Sequence, residues 1–236
     1  MSTSSPAHLR AFVRRETRLV DVPGLPGVRL HLADDVMAMC RLTGRELGQP
    51  DPDLPYWAFA WAGGLAISRY LLEHPDEVAG RTVLDVASGS GLCAIVAMRC
   101  GAASVGAIDI DPFAEAAVAV NAQANGVRVG FSARDVLDAP PPPCDVILAG
   151  DVCYQETMAG RMLAWLRRAT ESGTRVLIGD PGRTYVPADL ERLEVYRVHT
   201  SLELEDAETK ESAVFTFTAG STGAVPAGFR VTSSGE

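Results

Sequence analysis

The sequence predicts an α/β fold: a mostly parallel sheet with helices on both faces and an antiparallel pair of strands at the end. Three observations predict it. From Thr82 onward, short apolar runs alternate with segments of helical spacing, and strands joined by helices run parallel because such crossovers are right-handed. One apolar run, Val83-Leu-Asp-Val-Ala-Ser-Gly-Ser-Gly91, carries an acid and breaks into a small-residue loop before a helix; a second ends in Ala107-Ile-Asp-Ile-Asp-Pro112. That is the ground plan of a nucleotide-type cofactor site. The last two apolar runs, 195–200 and 213–218, are separated only by a charged loop at 203–211, so that pair is antiparallel.

Taken in order, residues 1–10 and 220–236 are rich in Ser, Thr, Gly, Ala and Pro and read as loose tails. Residues 28–32 alternate as a short strand. Residues 36–47 have helical spacing, with Met37, Cys40 and Leu47 near one face. A breaker-rich linker at 48–55 follows. Residues 62–73 read as a helix with Leu65, Tyr70, Leu71 and Leu72 on its apolar side, ended by His74-Pro75. Strands follow at 82–87, 104–110, 128–132, 145–150 and 175–179, and helices at 92–99, 112–123, 158–170 and 188–192. The chain thus divides into an extension (1–55), a main domain (56–219) and a tail (220–236).

The bulk numbers narrow the class. With 236 residues, 47% hydrophobic and 22% charged, the chain supports one packed domain with an extension. A net charge of −9 excludes a phosphate-backbone partner from the expectations, so no nucleic acid is foreseen. An acidic surface attracts a basic substrate instead. Five cysteines, an odd number with no CxxC and no zinc spacing, read as reduced thiols in a cytoplasmic protein without a metal. The first residues lack an apolar signal core, and no apolar run reaches the ~20 residues of a membrane span, so no membrane partner is expected.

Gly89-Ser-Gly91-Leu-Cys-Ala94 satisfies G-x-G-x-x-G/A, which suits a dinucleotide as well as other adenosine cofactors. Asp109 lies 18 residues beyond Gly91 at the end of the second strand, where an acid accepts hydrogen bonds from ribose hydroxyls. Asp85, four residues before Gly89, discriminates. A carboxylate there repels a pyrophosphate and tolerates an ammonium and a sulfonium, which points to S-adenosylmethionine. Asp135, after the third strand, reads either as an acceptor for the adenine amino group or as a cap or turn residue.

Pro55-Tyr-Trp-Ala-Phe-Ala-Trp-Ala-Gly-Gly64 places four aromatics within six residues. Phe59 reads as core. Trp57 and Trp61, beside a Gly-Gly that admits close backbone approach, read as candidates for a cofactor or substrate pocket, since a Trp face suits a sulfonium. Asp151 and Tyr154, in Gly150-Asp-Val-Cys-Tyr154, end the fourth strand, and ligands of open α/β sheets bind at carboxyl ends of strands. Asp151 can hold a substrate amine and Tyr154 can wall its channel, against readings as a cap and as packing. Cys153 reads as filler. Asp180 and Arg183, in Gly179-Asp-Pro-Gly-Arg183, lie on the same rim and read equally as substrate contacts or as a turn.

These residues resemble class I S-adenosylmethionine-dependent methyltransferases, and among them the group of protein lysine methyltransferases that includes the electron transfer flavoprotein β-subunit lysine methyltransferase. The resemblance covers Tyr56 to about Thr218. It rests on the aromatic Gly-Gly segment at 55–64, Val-Leu-Asp at 83–85 with Ser-Gly-x-Gly at 88–91, Asp-Ile-Asp-Pro at 109–112, Gly-Asp-x-x-Tyr at 150–154 and Leu-Ile-Gly-Asp-Pro-Gly-Arg at 177–183. It implies a Rossmann-like seven-stranded sheet, mostly parallel with an antiparallel last strand. It implies that Asp85, Ser88, Gly89 and Gly91 shape the methionine end, that Asp109 binds ribose and Asp135 adenine, and that Asp151 and Tyr154 border a lysine channel. Ala87 stands where a glycine is usual, which tightens the loop.

The implied function is methyl transfer to a lysine amine of a protein substrate. A small-molecule N-methyltransferase shares every cofactor residue. A dinucleotide oxidoreductase is disfavoured by Asp85. A catalytically silent cofactor-binding module stays open because of Ala87.

Overall fold

The computed structural model describes residues 5–49, 53–200 and 207–218. The expected tail at 220–236, three linker positions (50–52) and residues 203–206 of the charged loop lie outside them. The described elements are α1 (Pro6–Glu16), β1 (Arg18–Asp21), β2 (Arg29–Leu32), α2 (Val36–Leu47), a 3-10 turn (Tyr56–Ala58), α3 (Ala62–Glu73), a second 3-10 turn (Pro75–Glu77), β3 (Thr82–Val86), α4 (Leu92–Arg99), β4 (Ser104–Asp109), α5 (Pro112–Ala124), β5 (Gly130–Ala133), β6 (Val146–Gly150), α6 (Glu156–Glu171), β7 (Arg175–Asp180), β8 (Leu190–His199) and β9 (Thr209–Phe217).

Seven strands form one sheet in the order β5-β4-β3-β6-β7-β9-β8. Neighbours from β5 to β7 run parallel. The last strand, β9, runs antiparallel to both β7 and β8 and lies between them. The central strands are near-continuous apolar runs because both their faces are covered. Their two-residue period sends Val83, Val146, Leu148 and Leu177 to the face packed by α3 and α4. It sends Leu84, Ile147, Ala149 and Ile178 to the face packed by Trp165 and Leu166 of α6.

The order reverses between β3, which leads outward to β4, and β6, which begins the other half of the sheet. Ligands of such sheets bind at that switch point, beyond the carboxyl ends of the strands. The loops after β3, β4, β6 and β7 therefore build the site.

Three expectations change. The first ten residues are not all tail: Ser5 accepts a hydrogen bond from His8 N at 3.3 Å and caps α1. Leu9, Phe12 and Val13, at helical spacing, bury their side chains beside Phe113 and Ala117 of α5. The residues at 188–192 are not a helix. Leu190 opens β8, because Glu191 and Arg192 take up a register with Thr216 and Phe215 of β9. Third, β1 was not foreseen; it pairs with β2 as a hairpin. That hairpin is tied to α5 by the buried Asn121, whose Oδ1 accepts from His31 N at 2.7 Å. The extension thus shares a core with α5. Among the described residues no helix is long and apolar enough to cross a membrane.

Candidate active site

β3 ends at Val86, and the chain turns sharply. Ala87 has φ +52°, a left-handed conformation that costs a residue with a Cβ about 1–2 kcal/mol. Gly91 has φ +77°, and a Cβ there would lie 2.9 Å from Val118 Cγ2. The loop is therefore wound tightly between β3 and α5. Asp109 fixes it from β4: one carboxylate oxygen accepts from Gly89 N at 2.8 Å and the other from Asp111 N at 3.0 Å. Burial pushes the Asp109 pKa up against these bonds. Ser88 is buried, and among the described residues its Oγ has no hydrogen-bond partner. A buried hydroxyl left in that state is costly unless a ligand meets it. Ile110, the next residue after Asp109, is 74% exposed at the same edge and offers an apolar surface to a flat base.

Asp85 is turned to the protein. Its Oδ2 accepts from Ala94 N at 3.0 Å, which staples β3 to the first turn of α4. Burial raises its pKa well above the ordinary carboxylate value, and the Asp109 charge adds to the rise. Through that bond it shapes the loop from beneath. Asp135 forms the turn foreseen as one of its two readings. It accepts from Leu137 N at 2.9 Å and pairs with Arg161 at 3.1 Å.

The other half of the site depends on four glycines. Gly63 and Gly64 lie in the first turn of α3; Gly150 is the last residue of β6 and Gly179 the last but one of β7. A Cβ on Gly150 would lie 2.9 Å from Gly64 N. The contact brings the open N-terminus of α3 onto Asp151. Asp151 Oδ2 accepts from Gly64 N at 2.8 Å, and Oδ1 accepts from Arg183 Nη1 at 2.7 Å. Arg183 also donates to Asp180 Oδ2 at 3.2 Å, while Asp180 Oδ1 accepts from Gly182 N and Arg183 N. The half-buried Asp151 and the buried Asp180 thus share one guanidinium. Burial raises the Asp151 pKa, and Arg183 and the helix N–H groups oppose the rise. Asp151 itself has φ +59°, a strained conformation for a residue with a side chain.

Tyr154 stands at the mouth, its ring 5.3 Å from that of Tyr56. Burial of the hydroxyl pushes the Tyr154 pKa up to about 12. Tyr56 in turn lies 5.5 Å from Trp61, whose Nε1 donates to the Tyr56 carbonyl at 3.0 Å. Trp57 corrects the sequence reading. It is fully buried and stacked on Phe113 at 5.3 Å, so its ring belongs to the core and lines no pocket. Only its backbone, with that of Tyr56, lies against the Gly89 turn. Cys153 is buried with its thiol pKa pushed up to about 12, in keeping with a filler.

The structure therefore gathers Ser88, Gly89, Gly91 and Asp109 on one side of the switch point and Asp151, Tyr154, Asp180 and Arg183 on the other. Tyr56 and Ile110 were not singled out from the sequence. Tyr56 sat in a segment whose aromatic density argued for core, and Ile110 looked like the end of an apolar strand. A hollow of about 920 Å³ lies at the opposite end of the sheet, lined by Arg81, Thr82, Pro141 and Thr174, and holds none of these residues.

The unpartnered Ser88 hydroxyl, the tight turn and the Asp109 carboxylate fit an adenosine cofactor. Comparison with known proteins narrows the chemistry. The family model for ribosomal protein L11 methyltransferase (PrmA) matches residues 67–152. The chain is 36% identical over 221 residues to the electron transfer flavoprotein beta subunit lysine methyltransferase of Xenopus laevis, covering 88% of this chain and 86% of that one. It is 33% identical over 213 residues to the Homo sapiens protein of the same description, covering 89% and 80%. The chain belongs to this lysine methyltransferase family. It is an S-adenosylmethionine-dependent methyltransferase of the protein lysine class. The fold agrees with that of a putative methyltransferase solved with S-adenosylhomocysteine, with a TM-score of 0.53 at 12% identity over 85% of this chain and 56% of that one. A putative RNA methyltransferase from Pyrococcus horikoshii gives 0.51 at 14% identity over 66% and 82%.

Proposed function

We propose that the protein methylates a lysine of an electron transfer flavoprotein β subunit, with Asp151 and Tyr154 receiving the amine. The observation that carries the amine end is the rim after β6 and β7. Two carboxylates sharing one guanidinium stand beside an exposed tyrosine, on the same strand edge as the donor loop. The relatives' names supply the choice of substrate.

When bound, S-adenosylmethionine supplies a methyl group already activated by its sulfonium. The residues then have three tasks. Gly89 and Gly91 form the turn for the methionine end, and Ser88 meets it through its hydroxyl. Asp109 would hold the ribose hydroxyls, and Asp135 would accept from the adenine amino group. Asp151 draws in the lysine ammonium by charge and orients it, while Tyr154 excludes water from its path. The lysine must lose its proton from a reference pKa near about 10.4. The carboxylates hold it charged at the mouth, and desolvation deeper in favours the neutral amine.

An acidic protein with net charge −9 suits a basic docking segment and not a nucleic acid or an anionic membrane. Five unpaired cysteines support work in the cytoplasm, which cell fractionation would check.

The test is methyl transfer from labelled donor to purified electron transfer flavoprotein, to a protein lysate and to a pool of small amines. Mass spectrometry should place the label on lysine of the β subunit. Asp151→Asn should lower kcat about 100-fold while S-adenosylhomocysteine binding changes less than about threefold. Label confined to small amines overturns the protein substrate, and label on another protein overturns the named one.

A further inference from the structure

Most large aromatic side chains of this fold are buried: Trp57, Trp165 and Phe113 are fully enclosed. Tyr56 and Tyr154 depart from that, at 36% and 41% exposed. Both lie at the ligand edge of the sheet, and core packing does not account for them. Their rings are 5.3 Å apart and tilted by 40°, so they open as a V; Trp61 stands behind Tyr56 at 5.5 Å and 45°. Both rings are partly exposed, so ring face is what the V offers. The Trp61 indole N–H is taken by the Tyr56 carbonyl, so the wall is fixed from behind. The Tyr56 carbonyl oxygen would lie 3.5 Å from a Cβ on Gly89, and Tyr154 follows Asp151 by three residues on the loop after β6. The V therefore spans the gap between the donor loop and the Asp151–Arg183 pair.

Aromatic faces in such a setting recognise a particular cation. An unmethylated ammonium is best held by carboxylates, through its N–H donors. Each added methyl removes a donor and spreads the positive charge over carbon, where a ring face binds it well and a carboxylate less so. We propose that Tyr56 and Tyr154 form an aromatic slot for the alkylammonium of a partly methylated lysine, and that Tyr56 thereby decides how many methyl groups the lysine receives. The proposal rests on the lysine reading above.

In each round the lone pair of the neutral amine attacks the methyl carbon. The carbon–nitrogen bond forms as the carbon–sulfur bond breaks, its electron pair going to sulfur. After the first and second transfers the new ammonium gives one proton to water before it can attack again. The third leaves a quaternary ammonium with no proton to lose. The slot retains the mono- and dimethylated side chain across these rounds.

Two substitutions separate the ring face from bulk. Tyr56→Phe keeps the face; Tyr56→Leu keeps an apolar side chain of similar reach without it. Wild type and Tyr56→Phe should give di- and trimethyllysine in similar proportion, within about twofold. Tyr56→Leu should stop mainly at monomethyllysine, with the higher products down about tenfold by mass spectrometry. Independently of turnover, tetramethylammonium chloride should show line broadening in proton NMR with wild type and Tyr56→Phe, and lose it with Tyr56→Leu. Unchanged thermal melting and S-adenosylhomocysteine affinity would show that the Leu variant is folded. A Leu variant that matches wild type in product distribution or in tetramethylammonium broadening overturns the slot, as does a wild type that adds a single methyl. A wild type that modifies no protein lysine at all sinks the lysine reading as well.

Discussion

The backbones of Gly63 and Gly179 touch: a Cβ built on Gly63 would lie 2.1 Å from the Gly179 carbonyl oxygen, and one on Gly179 would lie 2.1 Å from the Gly63 oxygen. No side chain fits between the start of α3 and the end of β7. This contact seats the α3 N-terminus on Asp151, so it couples packing to the proposed amine end of the site.

Gly63→Ala should therefore cost about 3 kcal/mol of stability, since backbone on both sides must move. Chemical denaturation measures it. Activity should fall further than stability explains, because Asp151 loses the Gly64 N–H that fixes its carboxylate.

Ala87→Gly should act in the opposite direction. Ala87 holds a left-handed φ of +52° without being a glycine. Relieving that strain outweighs the extra freedom of the unfolded chain, and stability should rise by about 1 kcal/mol. Calorimetry should find S-adenosylhomocysteine affinity changed by less than about threefold.

The two candidate cofactor acids should separate cleanly. Asp109→Ala removes the acceptor of Gly89 N and the proposed ribose partner together, and should weaken S-adenosylhomocysteine binding about 30-fold or more. Asp135 is paired with Arg161 at the surface, and Asp135→Ala should weaken it less than about threefold. Equal losses would show that the adenine edge depends on Asp135 more than its exposure suggests.

A pH dependence follows from Asp111, which caps α5 by accepting from Phe113 N at 2.8 Å. Burial and then the Asp109 charge raise its pKa from the ordinary 3.8 to about 6, against the pull of that N–H. The folded state thus prefers the protonated acid. Its stabilising contribution is present in full below pH 3.8 and is lost as pH rises through about 6. Asp111→Asn keeps the cap and removes the buried charge. The variant should gain about 2 kcal/mol relative to wild type at pH 7 and little at pH 4, read from thermal melts across that range.

Much of this was written in the sequence. Asp109 and Gly91 could be placed because an acid at a strand end and a residue free to take positive φ obey local rules, and β3, β4, β6 and β7 ended where their apolar runs ended. The helix expected at 188–192 failed because Glu191 and Arg192 follow a partner strand more than 20 residues away, and strand pairing is a non-local choice. The α1 helix was hidden in a segment whose composition resembled a tail, although Leu9, Phe12 and Val13 carried the helical spacing.

The division has a physical reason. Period and turn chemistry act over a few residues, so the sequence by itself determined the alternating sheet, the donor loop and the acids at its strand ends. Which side of each residue meets the core is settled only when distant segments pack. Trp57 and Tyr56 are neighbours in a single aromatic run, yet Trp57 stacks on Phe113 and Tyr56 turns out to meet Tyr154. Asp85 was read as the residue that faces the cofactor's charge, and only the fold shows that one of its oxygens accepts from Ala94 N. Asp151, Asp180 and Arg183 were readable one by one as residues of a rim. Only the tertiary structure made them one charged unit, because only there does a guanidinium lie between two carboxylates from adjacent strands.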